Sequence, residues 1–219
     1  MIECRNLVYQ YDNNNKVLKN VKFSLVEGNI GVVLGVNGCG KTTLLKCIGN
    51  YYDNYKGFIK TSSKCRYLND LPALSEDLTG IEYVELLLAL GGDKTNLLVD
   101  RIIDSIGIRN NLSQKISELS IYTKKVLVLL SSLCFDTDFL LIDEPFRDLD
   151  RNSQLLIVKL IKLLKNEGKT ILVATNLIYF GYEFADDLFL LHRGKIKHIK
   201  NCFANIKDYE KEVMKTILR

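Results

Sequence analysis

The chain lacks the features that mark several function classes. No C-x-x-C pair occurs among its six cysteines (Cys4, Cys39, Cys47, Cys65, Cys134 and Cys202), and neither His192 nor His198 stands near one in sequence. Scattered thiols of this kind read as buried side chains in a reducing compartment, not as a disulfide framework or a metal site. The opening MIECRNLVYQYD has none of the charged-then-apolar layout of a signal peptide. No apolar run approaches the ~20 residues that a membrane span needs, so any service to a membrane is expected through a partner on the cytoplasmic side. The net charge of +4 comes from a lysine excess spread along the chain, without a dense basic tract. No nucleic-acid partner is expected from that distribution. Internal repeats and low-complexity linkers are missing as well.

What remains is ordinary for a soluble globular protein: 219 residues, 47% hydrophobic and 26% charged. Such a chain can bury a sizeable core, as one large domain or as one domain with an inserted lobe. The first quarter reads as strands. IECRNLV, VKFSLV and NIGVVLG are β-branched and apolar, separated by the turn-rich DNNNK and EGN. KTTLLKCIGN has helical spacing and closes at Gly49-Asn50, and GFIKTS and CRYL read as two further short strands.

From Thr79 to about Cys134 the reading changes to successive helices, TGIEYVELLLALG, NLLVDRIIDSIG and SIYTKKVLVLLSSLC. A helical stretch between strand-bearing portions suggests an inserted lobe. Alternation resumes with the strand DFLLIDE, the helix NSQLLIVKLIKLLKNEG and the strand KTILVAT, whose near-continuous apolar character suits a parallel sheet covered on both faces. DLFLLHRGKIKHIK is expected to be a hairpin turning at Arg193-Gly194. The last segment reads as an amphipathic helix carrying Ile206, Tyr209, Val213 and Ile217 on one side, packed against the core.

The stretch from Gly31 to Leu45 carries the chemistry. Gly35-Val36-Asn37-Gly38-Cys39-Gly40-Lys41-Thr42 satisfies G-x-x-x-x-G-K-[ST], between an apolar strand and a helix. Glycines let the backbone wrap closely around phosphates with successive N–H groups pointing inward, and the helix behind adds the partial positive charge of its N-terminus. Lys41 is expected to reach the β- and γ-phosphates, with the Thr42 hydroxyl taking a Mg²⁺ position and Thr43 completing the loop. About a hundred residues on, FLLIDEP (Phe139 to Pro145) is an apolar strand running into two acids. Asp143 is suited to hold Mg²⁺ through water, and Glu144 to polarise an attacking water or accept its proton.

On these motifs the chain resembles the ATP-binding subunits of ABC transporters, in order and over nearly its whole length. Tyr11 falls where that family has an aromatic that stacks on adenine. GVNGCGKTT resembles its Walker A loop, LLIDEP its Walker B, and RDLD (Arg147 to Asp150) its D-loop. YLNDLPALSEDLT (Tyr67 to Thr79) is similar to the Q-loop as seen in exporter-type subunits, ELSIYTKK occupies the signature position, and ILVATN sits where the switch histidine is expected. The resemblance implies two subunits closing head to tail on two ATP molecules and driving a membrane permease.

Three positions depart from the family pattern. The signature Leu-Ser-Gly-Gly-Gln is here Leu119-Ser120-Ile121-Tyr122-Thr123. Ser120 is retained for a γ-phosphate across the dimer, but both glycines that permit close backbone approach are replaced. The Q-loop glutamine falls on Asp70, whose carboxylate is expected to ligate Mg²⁺. The switch histidine falls on Asn176, whose amide can donate to a γ-phosphate but cannot carry charge or shuttle a proton. In a homodimer both composite sites would face Ile121 and Tyr122. In a heterodimer with an intact partner signature, Lys41 and Glu144 could fire normally.

The expectation is therefore an α/β P-loop NTPase core with a mixed, largely parallel sheet and an antiparallel β portion from the N-terminus. Core residues 1–69 and 135–219 flank an inserted helical subdomain at about 70–134. The expected function is hydrolysis of ATP with Mg²⁺, energising a separate membrane permease, export before import, from the inner face of the cell membrane. Two alternatives stay open: a regulatory subunit with little hydrolysis, and a soluble ATPase of the same family acting outside transport.

Overall fold

The computed structural model describes residues 1–11, 15–61, 64–70, 74–92 and 97–217. Among the described residues, nine strands form two sheets. β1 (Ile2–Gln10) pairs antiparallel with β2 (Lys16–Leu25) and β4 (Lys56–Lys60) in a three-stranded sheet. The larger sheet has the order β5 (Cys65–Leu68), β6 (Phe139–Asp143), β7 (Thr170–Thr175), β3 (Ile30–Leu34), β8 (Asp187–His192) and β9 (Lys195–Lys200). Its strands are parallel except for the β8–β9 hairpin. That hairpin turns at Arg193 and Gly194, which take φ of 48° and 80°, as a tight two-residue turn requires.

Alternation within the buried strands divides the interior in two. Val32 and Leu34, Leu140 and Ile142, Ile171 and Val173, and Leu188 and Leu190 face one core. Val33, Leu141, Leu172 and Phe189, one residue out of phase, face the other. A pleat of period two produces this split, and a sheet covered on both sides explains why β3, β6 and β7 are apolar without polar interruption. The second core is closed by the three-stranded sheet and by α1 (Lys41–Ile48). The first is closed by α2 (Gly80–Gly91), α3 (Leu97–Ile106), α4 (Ile121–Leu130) and α5 (Arg151–Asn166), with α6 (Ile178–Phe184) and α7 (Ile206–Ile217) at one end.

Helices α2 and α5 start where side chains satisfy free N–H groups at their first turn. Thr79 and Glu82 form a reciprocal capping box on α2, and Asp150 accepts from the N–H groups of Asn152 (2.9 Å) and Ser153 (3.1 Å) to open α5. α4 is shorter than its apolar run predicts. The hydroxyls of Ser131 and Ser132 bond back to the carbonyls of Val128 and Leu129, each at 2.6 Å, and compete with the helical ladder where it stops. α6 and the 3₁₀ turns at Arg109–Ser113 and Ile116–Glu118 were not expected. α6 carries Gly181, whose added Cβ would lie 2.3 Å from the Tyr209 hydroxyl. Its buried positions Phe180, Gly181 and Phe184 have helical spacing, but the helix is only seven residues long and has a glycine, a weak helix former, at that contact. On α7, Tyr209 and Val213 are buried as the stripe predicts, and the Tyr209 hydroxyl donates to the Ile178 carbonyl at 2.6 Å. The Ile217 side chain lies outside the described set. Among the described residues no helix is long and apolar enough to cross a membrane.

Candidate functional site

The glycine loop leaves β3 at its C-terminal end, and the two acids leave β6 at the same edge, with β7 between them. Ligand crevices in open α/β sheets lie outside this edge. The spacing is fixed by backbone: Asp143 is in register with Ala174, and the Glu144 N–H donates to the Ala174 carbonyl at 2.9 Å. Two loop glycines are sterically required. A Cβ on Gly35 would come within 2.5 Å of the Leu191 carbonyl oxygen. Gly40, at φ 108°, would place one 2.8 Å from Val17.

Between these ends lies a cavity of ≈ 430 Å³. Tyr11, Asn37, Gly38, Gly40, Lys41, Thr42, Thr43 and Glu144 line it, and Val17 and Arg147, not expected there, join them. The Lys41 ammonium donates to the carbonyls of Gly35 (3.0 Å) and Val36 (3.4 Å) and lies 3.1 Å from Glu144 Oε1. Both side chains of this ion pair are nearly inaccessible, at 5% and 7%. The ammonium's donors are thereby satisfied, and it sits at the mouth of the loop where an oxyanion would compete for it. Cys39 does not line the cavity. Its thiol lies against Gly35, and burial pushes it above its ordinary pKa.

Tyr11 presents a half-exposed ring. Its hydroxyl shares a 2.8 Å hydrogen bond with Thr43 Oγ1, and its ring meets Tyr9 and Tyr52 edge-on at 5.1 and 5.9 Å. The exposed part of the ring is apolar surface that a planar ligand could stack on.

Asp143 is buried, and Tyr67 donates its hydroxyl to Oδ2 at 3.0 Å. Burial, together with the Asp143 charge, holds that phenol well above its ordinary pKa, so it stays a donor. Asp143 Oδ1 is buried with no hydrogen-bond partner among the described residues. A buried carboxylate oxygen left over in this way suits the water shell of a hard divalent cation. Thr42, exposed at the start of α1, stands on the same cavity. No cluster of three or more histidines, cysteines or acids able to hold a metal occurs among the described residues.

Asp70 is placed differently from the expectation. Its Oδ1 takes the ammonium of Lys125, and its Oδ2 accepts from Arg147 Nη1 at 3.0 Å. Both oxygens are therefore committed to cations, and Asp70 does not line the cavity, so the metal-ligand role does not fit this arrangement. Leu71, Pro72 and Ala73, in the stretch likened to a Q-loop, lie outside the described residues. Lys125, on α4 and only 3% exposed, also donates to the Glu144 carbonyl at 3.2 Å. A lysine inside an otherwise apolar helix face is the one sign of this role that the sequence carries.

Asn176, exposed after β7, donates from Nδ2 to Asn37 Oδ1 at 3.0 Å, which ties it to the glycine loop. Ser120 caps α4 and accepts from the Thr123 N–H at 3.1 Å. It is exposed and away from the cavity of its own chain. Beside it Ile121 is 42% exposed, whereas Tyr122 packs on the first core with its hydroxyl buried and without a partner among the described residues.

Comparison with known proteins supplies the context. The family model described as ABC transporter matches residues 18–147. An uncharacterised ABC transporter ATP-binding protein of Methanocaldococcus jannaschii is 30% identical over 94% of this chain and 78% of its own length. An energy-coupling factor transporter ATP-binding protein of Carboxydothermus hydrogenoformans is 27% identical over 89% of this chain and 78% of its own length. Two further relatives, from Treponema denticola and Clostridium tetani, are longer, and the chain spans only 47% and 50% of them. Among solved structures, an ATP-binding subunit of an ABC transporter superposes with a TM-score of 0.80 at 21% identity, covering 98% of this chain and 99% of that one. A dimeric ATP-binding cassette bound to ADP and phosphate superposes with a TM-score of 0.76 at 22% identity, covering 93% and 100%.

Proposed function

The chain belongs to the ABC transporter family of ATP-binding proteins, and on that premise we propose that it binds and hydrolyses MgATP to energise a separate membrane permease. The observation that carries the reading is the cavity in which the buried Lys41–Glu144 pair meets the glycine loop. Asp143, the residue before Glu144, does not line it but leaves its buried Oδ1 without a hydrogen-bond partner among the described residues. The loop amides and Lys41 hold the phosphate tail. Thr42 and Asp143 would hold Mg²⁺, which would supply charge neutralisation of the phosphates. Tyr11 stacks on the base. Phosphate oxygens compete with Glu144 for the Lys41 ammonium, and the freed carboxylate orients a water and takes its proton.

The active unit is a dimer, homomeric or with a second ATPase subunit. Ser120 lies outside its own cavity with the N-terminus of α4 behind it, which supports a role for it in the site of a partner copy. Work with a permease places the protein on the cytoplasmic face of the membrane. Export is the direction supported by the stretch from Tyr67 to Thr79, and the relatives' names include a ribose import protein, so direction is read from uptake into inside-out vesicles holding the permease. Single-turnover hydrolysis by purified protein tests the core of the reading. A rate unchanged by Glu144→Gln would remove its base.

A specific feature favours a second reading, that of a regulatory subunit which dimerises on ATP with slow turnover. Ile121 and Tyr122 replace both signature glycines, and Asn176 donates to Asn37 as a neutral amide. ATP-dependent dimerisation without release of phosphate would select it.

A further inference from the structure

The geometry points to Arg147 as a second phosphate-binding cation of the cavity, parked on Asp70 until a nucleoside triphosphate draws it away. The inference rests on the MgATP-binding reading above and concerns which residue of this chain meets the terminal phosphate.

Two cations line the cavity among the described residues, Lys41 and Arg147. Lys41 is already matched by Glu144 at 3.1 Å, so that pair brings no net positive charge to a triphosphate. The position after β7, where the family resemblance expects a histidine, holds the neutral Asn176. Arg147 is the remaining source of positive charge at the cavity wall. Its side chain is 51% exposed, and its planar fork matches a phosphoryl group better than an ammonium would.

Local backbone puts it beside the reacting end. Glu144 takes φ of 47° and Asp148 of 60°, and the Arg147 N–H donates to the Glu144 carbonyl at 3.2 Å. This tight turn brings Arg147 back toward Glu144, and both residues line the cavity.

Asp70 is built to release it. Its other oxygen is held by Lys125, whose ammonium is buried and also bonded to the Glu144 carbonyl. When Arg147 leaves, the Asp70 charge stays compensated, so the exchange does not strand a carboxylate. Asp70 is here a positioning residue, and Arg147 is the group that touches the ligand.

Titration calorimetry with Mg²⁺ and either ADP or a non-hydrolysable ATP analogue tests this on wild type, Arg147→Ala and Arg147→Lys. The expected result for Arg147→Ala is an about tenfold loss of affinity for the triphosphate, a much smaller loss for ADP, and substantial recovery in Arg147→Lys. Asp70→Asn should alter triphosphate affinity with Arg147 present and have no effect in Arg147→Ala. Equal losses for ADP and the triphosphate, or no loss at all, overturn the proposal, with nucleotide-free melting curves checking that each variant is folded. If wild type itself binds neither nucleotide, the failure belongs to the ATP-binding reading and not to the role of Arg147.

Discussion

The Lys41 ammonium lies 3.1 Å from Glu144 Oε1, and neither side chain has meaningful access to solvent. Loop and strand end are thus joined by a charge pair through the cavity between them. A buried pair of this kind is costly to leave half-made, because the surviving charge keeps its desolvation cost without its partner. Lys41→Met is therefore expected to lower the melting temperature by more than the double variant Lys41→Met/Glu144→Gln. Nucleotide-free thermal melts of the three proteins check the order, and a double variant less stable than Lys41→Met would refute the coupling.

Glu144→Gln keeps the shape of the site and removes its base. Hydrolysis in a single turnover is expected to fall by about 100-fold or more, while ATP binding by calorimetry is retained. Loss of binding together with rate would give Glu144 a structural role instead.

Asp143 offers one oxygen to Tyr67 and keeps the other for the cation. Asp143→Asn should make ATP affinity nearly insensitive to Mg²⁺, whereas in wild type added EDTA weakens binding by about tenfold or more. A variant that still responds fully to Mg²⁺ would place the ion elsewhere.

If Ser120 acts in a partner's site, the β-branched Ile121 beside it keeps the two backbones apart. Ile121→Gly is expected to raise steady-state ATP turnover about tenfold at concentrations that favour the dimer. An unchanged rate would mean that this corner does not limit the reaction.

Acid sensitivity should centre on Asp187. Burial pushes its carboxyl up, but bonds from Lys200 (2.8 Å), Asn29 (3.0 Å) and His198 (2.7 Å) outweigh that and hold it below the usual carboxylate range. A carboxyl lowered in the folded state contributes stability that is present above its unfolded pKa, about 3.9, and is lost as pH falls through the folded value. Wild type should lose stability through that acid window more steeply than Asp187→Asn. Urea midpoints between about pH 2 and pH 6 measure the difference, and parallel curves would dismiss the network.

The glycine loop was legible because its geometry is local. Gly35, Gly40, Lys41 and Thr42 are spaced by the strand, turn and helix they belong to, and no distant residue is needed to recognise them. Asp143 and Glu144 could be read as the end of an apolar strand for the same reason. Arg147 could not, and Lys125 shows only as a lysine out of place on an apolar helix face, since what both do depends on Asp70, which lies 77 and 55 residues away along the chain. Asp70 itself was read as a metal ligand because a carboxylate in that stretch carries no sign of the cations that fold onto it. α6 stayed hidden because its buried face of Phe180, Gly181 and Phe184 spans only seven residues and includes a glycine, a weak helix former, where it meets Tyr209.

Strands apolar on both faces leave their alignment open, since a shift by one residue exchanges Val33 for a neighbour just as greasy. The choice falls to polar groups at the opposite end of the sheet from the cavity. The Ile30 N–H donates to Asp186 Oδ2 at 2.7 Å, the Asn29 amide reaches Asp187 at 3.0 Å, and the Ile171 N–H meets the Asn29 carbonyl at 3.0 Å. These pins act as a ruler: a slip there would carry through rigid strands and displace the glycine loop from the two acids by about 3.3 Å. Substitutions at Asn29 or Asp186, remote from any bound phosphate, can therefore spoil catalysis by misalignment alone.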